Sequence, residues 1–453
     1  KLSKAVSLAL FTERPESVMG AVLHEMELQR EWRQIIRLQA AFRGAIARRG
    51  YQVKVASMTR VLIIMDPGQD LDDEMTLVLL RALCDRQLVF PHGIVTTLAP
   101  ANMRAMLAHG TLCKLGLADV PVAAGTDGGA EGDVESMQGL DYLQQASILT
   151  KDACSFMTEV MESLPDNSLT IVVVASMRDI ATQLKNDETL FQSKVKEVVL
   201  MGGVKALKEG CLLEPDTAHN NQFDTVSAEY FYRRCQELCV PLVVVSRFAA
   251  YKCQMPRAIY DDMAATGSIV GKHLRAMQAR SIGRLWSRAN EPEGSELRAG
   301  LPMRCNKDWF LATFCGGEGA ERGSTDDIWD LVQGFNMYDP LALIAALPKL
   351  AYFFDCHPHQ VNGVTHRVIG LSKEDTGVRD GKLLREYLYK AFLDGIQGEI
   401  VKERVRTNQL KRLHDTLQVA VRAMQTQQRE ISELTAKLDE SERERGGIRL
   451  RGR

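Results

Sequence analysis

Val61-Leu-Ile-Ile-Met-Asp66-Pro67-Gly68-Gln-Asp70-Leu-Asp72-Asp73-Glu74 decides the fold: an apolar run of strand length ends in four aspartates and gives way to the helical pattern Met75–Leu83. Like charges this close repel, so they stay together only against a strong common counter-charge or with shifted protonation. A hard divalent cation with oxygen ligands is the simplest such counter-charge. The Pro67-Gly68 pair turns the chain sharply, so Asp66 and the Asp72-Asp73 pair can converge on one point. A helix dipole favours acidic residues at its N-terminus. That accounts for one or two of these aspartates, not for four around a Pro-Gly turn.

Outward from this stretch, apolar runs recur at Gly93–Leu98, Val120–Ala123, Leu169–Ala175, Val198–Met201 and Val240–Val245. Helical patterns separate most of them, as at Asn102–Leu115, Asp179–Leu184 and Ala228–Cys239. Near-continuous apolar strands alternating with helices predict an α/β fold, an open, mainly parallel sheet flanked by helices. Ligands in such sheets bind beyond the carboxyl ends of the strands. The acidic turn after Met65 is at such an end, and so is the Met201-Gly202-Gly203 turn, where glycine permits close backbone approach. From Gly267 to Gly334 helical stretches lead into the Gly-rich segment Cys315–Gly323, read as a loop over or beside the site. Asp326-Asp327 behind Ser324-Thr325 reads as a helix start, and His357, His359 and His366 as surface or loop histidines.

The 453 residues accommodate one large domain, 58–398, between helical extensions at 1–57 and 399–453. Hydrophobic content of 45% with 25% charged residues is that of a soluble globular protein. A net charge of −2 provides no global attraction for a nucleic-acid polymer or an anionic membrane, and no apolar run is long enough to span a bilayer. The first residues form a mixed, charged helical pattern rather than a secretory signal. Ten cysteines without a CxxC pair predict reduced thiols in a cytoplasmic protein. Cys235 and Cys239, one helical turn apart, could share a face and read as packing rather than zinc ligands.

Both extensions carry partner signals. Leu38-Gln39-Ala-Ala-Phe-Arg43-Gly44-Ala-Ile-Ala-Arg48 resembles an IQ motif, a calmodulin or light-chain binding helix. Ile35, Leu38, Phe42 and Ile46 form an apolar stripe beside Arg33, Arg37, Arg43, Arg48 and Arg49, which suits docking into an acidic groove. At the other end, Leu410, Leu413, Leu417, Ala420, Met424, Gln427, Ile431, Leu434 and Leu438 alternate spacings of three and four. That is a coiled-coil seam with one polar position, and it predicts a homo-oligomer.

From Arg60 to Leu350 the chain resembles the calcium-dependent inosine–uridine nucleoside hydrolases. The landmarks are Met65-Asp66-Pro67-Gly68 with Asp72-Asp73, Val120–Gly125, Val172–Ala181, Val198–Gly203, Asn220 with Asp224, and Tyr338-Asp339-Pro340-Leu341-Ala342, in the family's order. The resemblance implies hydrolysis of a nucleoside's N-glycosidic bond by water activated at Ca2+. It makes Asp66 the general base and a metal ligand, with Asp73, Asp339 and the backbone carbonyl near Val174 as further ligands. Asp72 then bonds a ribose hydroxyl, Met201 and Asn220 line the sugar pocket, and Tyr338 stands where a leaving-group acid is found. Departures accompany these matches: Ile64 replaces the family's first aspartate, Gln69-Asp70 are two extra residues, and Ala218 replaces an acid at the far end of the ribose. The strand-two Gly-Asn is also missing around Pro100-Ala101, and a tyrosine, Tyr338, replaces a histidine. The other reading these departures favour is a regulatory or scaffold protein that keeps the fold, binds calmodulin and has lost turnover.

Overall fold

Strand β1 (Thr59–Met65) is buried along Val61–Met65, as a strand flanked on both sides and covered on both faces must be. In the computed structural model it pairs in parallel with β2 (Val89–Thr96) and with β4 (Leu169–Val173). The structure describes residues 57–397, apart from 69, 131–142, 144–151, 299–300, 302 and 304. The IQ-like stretch and the heptad seam lie outside the described residues. With β3 (Val122–Ala124), β5 (Val195–Gly202), β6 (Leu242–Ser246), β9 (His357–Val361) and β10 (Val364–Ile369) the sheet runs β3-β2-β1-β4-β5-β6-β10-β9. Every pairing in it is parallel except the β9–β10 hairpin. The chain leaves β1 towards β2 and β3, then crosses back to start β4, β5 and β6 on the other side. The gap between the carboxyl ends of β1 and β4 is therefore the topological switch point, where a crevice opens.

Side-chain alternation along β1 builds two cores. Val61, Ile63 and Met65 face one cluster, Leu62 and Ile64 the other. The first is covered by α1 (Asp72–Asp85) and α2 (Ala101–Lys114); the second by α3 (Ala153–Glu162), α4 (Arg178–Asn186) and α5 (Glu188–Lys194). The short α6 (His219–Phe223) precedes α7 (Thr225–Glu237), which also packs on the second cluster. Then α8 (Arg247–Lys252), α9 (Ala258–Ala265), α10 (Ile269–Asn290), α11 (Lys307–Phe314), α12 (Tyr338–Ala345) and the helical residues 381–397 complete the first. A two-stranded antiparallel ribbon, β7 (Met255–Pro256) with β8 (Gly334–Phe335), ties the start of α9 to the approach to α12.

Several expectations shift. His359 and His366 are not surface or loop residues: they face each other in the β9–β10 hairpin and are 7% and 0% exposed. His366 Nδ1 accepts from the Leu242 N–H at 3.0 Å, and His359 Nε2 donates to the Cys211 carbonyl at 2.7 Å. The Cys315–Gly323 loop is fastened by Trp286 Nε1, which donates to the Gly323 carbonyl at 2.9 Å, and none of its residues lines the cavity described below. Asp327 caps a 3-10 turn, Trp329–Leu331, instead of an α-helix. All ten cysteines are free. Because α7 ends at Glu237, Cys239 leaves the helix at φ 59° and is exposed while Cys235 is buried, so the two share no face.

Candidate functional site

Beyond Met65 the chain turns at Pro67-Gly68, and Asp72 and Asp73 open α1. The turn closes on itself: the Asp66 N–H donates to Asp73 Oδ1 at 3.0 Å. Asp72 Oδ2 accepts from the N–H groups of Tyr338 at 3.1 Å and Asp339 at 3.4 Å, so it caps α12. Two helix N-termini with their partial positive charge thus meet over the same carboxylates. Asp66, Asp72, Asp73 and Asp339 are each under a tenth exposed, and Asp72, Asp73 and Asp339 each bring an oxygen within 4.8 Å of the others. From α2, the wholly buried Arg104 donates through Nη1 to the Asp66 carbonyl at 2.7 Å and the Pro67 carbonyl at 2.9 Å.

This arrangement is expensive to ionise. Burial first, then Asp70 and Asp72, push Asp66 up to about 7 against the opposing pull of Arg104. Burial and Asp70 push Asp72 to about 7 against its two backbone donors. Asp73 and Asp339 are raised well above the usual carboxylate range by burial and by their acidic neighbours. Clustered, buried, hard oxygen donors are the donor set a divalent cation takes, and a cation would return each of them to the charged state. The Asp72, Asp73 and Asp339 group could hold a metal.

The rest of the cavity, of ≈ 360 Å³, rises from other strand ends. Val174 follows β4, its N–H bonded to the Ile64 carbonyl at 2.9 Å. Met201 is in β5, and Asn220 Nδ2 donates to its carbonyl at 3.1 Å. A Cβ on Gly203 would sit 2.5 Å from the Asp216 carboxylate, so glycine is what lets that side chain approach β5. Tyr338 Oη accepts from Asn336 Nδ2 at 3.1 Å, and burial raises its phenol further, which keeps it a hydrogen-bond donor and a poor acid. Asp66, Asp72, Asp73, Val174, Met201, Asn220, Tyr338 and Asp339 therefore all line one cavity. Asp70 lines it from an exposed position at the mouth while Asp72 belongs to the buried floor, which separates the two candidates for one register.

Sequence reading missed the remaining mouth: His219 and Gln222 of α6, and Arg247 and Tyr251 of α8. Arg247 follows directly on β6, so the rule that ligands gather beyond strand carboxyl ends pointed to it.

The model of the inosine-uridine preferring nucleoside hydrolase family matches residues 61–432, and the chain belongs to that family. Among solved structures it is similar to the effector protein XOO4466: 28% identity, TM-score 0.62, covering 76% of this chain and 97% of that one. The type III effector protein XopQ, solved in complex with adenosine diphosphate ribose, is also 28% identical, with a TM-score of 0.57 over 76% of this chain and 93% of its own. A purine-preferring ribonucleoside hydrolase from Gardnerella vaginalis is 16% identical with a TM-score of 0.47, over 75% and 99%. No curated protein matches. Among the described residues no helix is long and apolar enough to cross a membrane.

Proposed function

We propose that this cavity hydrolyses the N-glycosidic bond of a ribonucleoside or related ribosyl compound. The observation that carries the proposal is the meeting of Asp66 from the end of β1 with Asp72, Asp73 and Asp339 from two helix starts at the switch point of the sheet. Asp73 and Asp339 would hold a Ca2+ together with Asp66 and the Val174 carbonyl, and Asp72 would share its carboxylate between the α12 start and a ribose hydroxyl. When bound, the cation supplies Lewis acidity to a nearby water and an electrostatic hold on the vicinal ribose hydroxyls. Asp66 takes the proton from the attacking water. The surrounding carboxylates stabilise the positive charge that develops on the sugar as the bond to the base breaks. Asn220 and Met201 position the sugar, and the Tyr338 phenol donates a hydrogen bond towards the departing base.

A second reading has its own support: the domain binds a ribosyl ligand without turning it over. Ile64, Ala218 and Tyr338 depart from the hydrolase pattern, and a relative that is an effector protein was solved with adenosine diphosphate ribose bound. Under either reading we place the protein in the cytoplasm, assign calmodulin-like binding to Leu38, Gln39, Arg43, Gly44 and Arg48, and assign self-association to the heptads from Leu410 to Leu438.

Ribose release from a panel of nucleosides, with and without EDTA, separates the two. Hydrolysis predicts chelator-sensitive release that falls by roughly 10²–10⁴-fold in Asp66→Asn. Absence of release from a chain that still binds Ca2+ selects the second reading.

A further inference from the structure

The cavity carries buried carboxylates on its floor and the exposed carboxylate of Asp70 at its mouth. Among the described residues that line the cavity the only lysine or arginine is Arg247, at the mouth. Arg247 faces Asp216 at 3.7 Å, beyond hydrogen-bond length, with 38% of its side chain exposed. Asp216 has other partners: its Oδ1 accepts from the Ala218 N–H at 2.8 Å and from Asn221 Nδ2 at 3.3 Å. The guanidinium lies 5.3 Å from the Phe248 ring centroid, a contact that orients it. Asp216 is thus fixed chiefly by its nitrogen donors, and its contact with the Arg247 guanidinium is the long one.

We propose that Arg247 recognises a phosphate-class anion on the end of the ribosyl ligand remote from the acidic floor, so that the site prefers phosphorylated ribosyl compounds to neutral nucleosides. This rests on the ribosyl reading above and adds the ligand's charge to it. Four carboxylates around one divalent cation would leave the floor net negative, so the floor would take the ring hydroxyls and disfavour an anion. The C5′ substituent then points to the mouth, where the guanidinium fork matches two phosphate oxygens. Exchanging the long Asp216 contact for a phosphate leaves Asp216 still satisfied by its two nitrogen donors.

Titration calorimetry of the full, unsubstituted chain in Ca2+ with the C-nucleoside analogue of adenosine and with its 5′-monophosphate tests this, since neither has an N-glycosidic bond to be consumed. The expected result is ~10-fold or more tighter binding of the monophosphate. Arg247→Gln brings the ratio close to one, and Arg247→Lys keeps part of it. Ca2+ binding and circular dichroism check that each variant folds, and if the glutamine variant does not, the lysine variant and the parent ratio decide. Equal binding of the two ligands, or a preference untouched in Arg247→Gln, overturns the proposal and leaves the ribosyl reading standing. Binding of neither ligand overturns the ribosyl reading itself.

Discussion

The floor and the mouth of the cavity are built in opposite ways. The floor is two helix starts, α1 and α12, whose buried carboxylates are fixed by backbone donors at 3.0–3.4 Å. The mouth is α6 and α8, helices of five and six residues carrying polar side chains such as Arg247, whose contact with Asp216 is long. Over-determined geometry suits chemistry, which loses rate when reacting groups move by small distances. Loosely held groups at an opening suit selection among ligands, which needs adaptable contacts. Of the positions read above as departures, Ala218 and Tyr338 line the cavity, and Ile64 lies in β1, the strand that leads into its floor.

Three measurements would break or sharpen the contrast. The largest effect is expected at the floor. Asp73→Ala removes the proposed metal ligand and the acceptor of the Asp66 N–H, and should weaken Ca2+ binding by ~100-fold or more in a calcium titration. Ordinary affinity in that variant would mean the cluster is not a metal site. Arg104→Met comes next. It strips the Asp66 and Pro67 carbonyls of their buried donor and should cost about 3 kcal/mol in denaturant unfolding. The same variant should bind Ca2+ more tightly, since a positive charge behind the carboxylates is gone. A loss of both stability and affinity would show that Arg104 shapes the floor rather than balancing its charge.

The third effect is in pH. In the metal-free fold Asp66 and Asp72 hold their protons up to about 7, against 3.8 without the fold. Folded chain thus binds more protons than unfolded chain across that window, and stability falls as pH rises through it. Thermal scans in EDTA should lose several degrees between about pH 5 and about pH 8, and added Ca2+ should restore more at the upper end, because binding releases those protons. A flat profile in EDTA would contradict the burial of these groups.

The same contrast governs what was legible in the sequence. The floor's main motif lies within eight consecutive residues, Asp66 to Asp73, next to a strand whose apolar run is unmistakable, and the sheet followed from five more such runs. Arg247 and Tyr251 were missed because single polar residues in a short helix carry no periodicity, and only their place after a strand end marks them. Arg104 was missed for another reason: an arginine in a helical pattern normally reads as solvated, and its burial comes from the acidic loop folded over it. His359 and His366 were misread because a short hairpin of alternating polar residues gives no apolar run, although contacts with the Cys211 carbonyl and the Leu242 N–H hold them inside.

The bond from Tyr338 N–H to Asp72 Oδ2 spans 266 positions of the chain. Contacts of such separation close late, after loop entropy has been overcome by the rest of the sheet. The acidic floor is therefore assembled only once nearly the whole domain is in place, and a nascent chain interrupted before α12 has no complete site to load. Under the proposed function, loading of a cation there waits on the docking of α12 against α1.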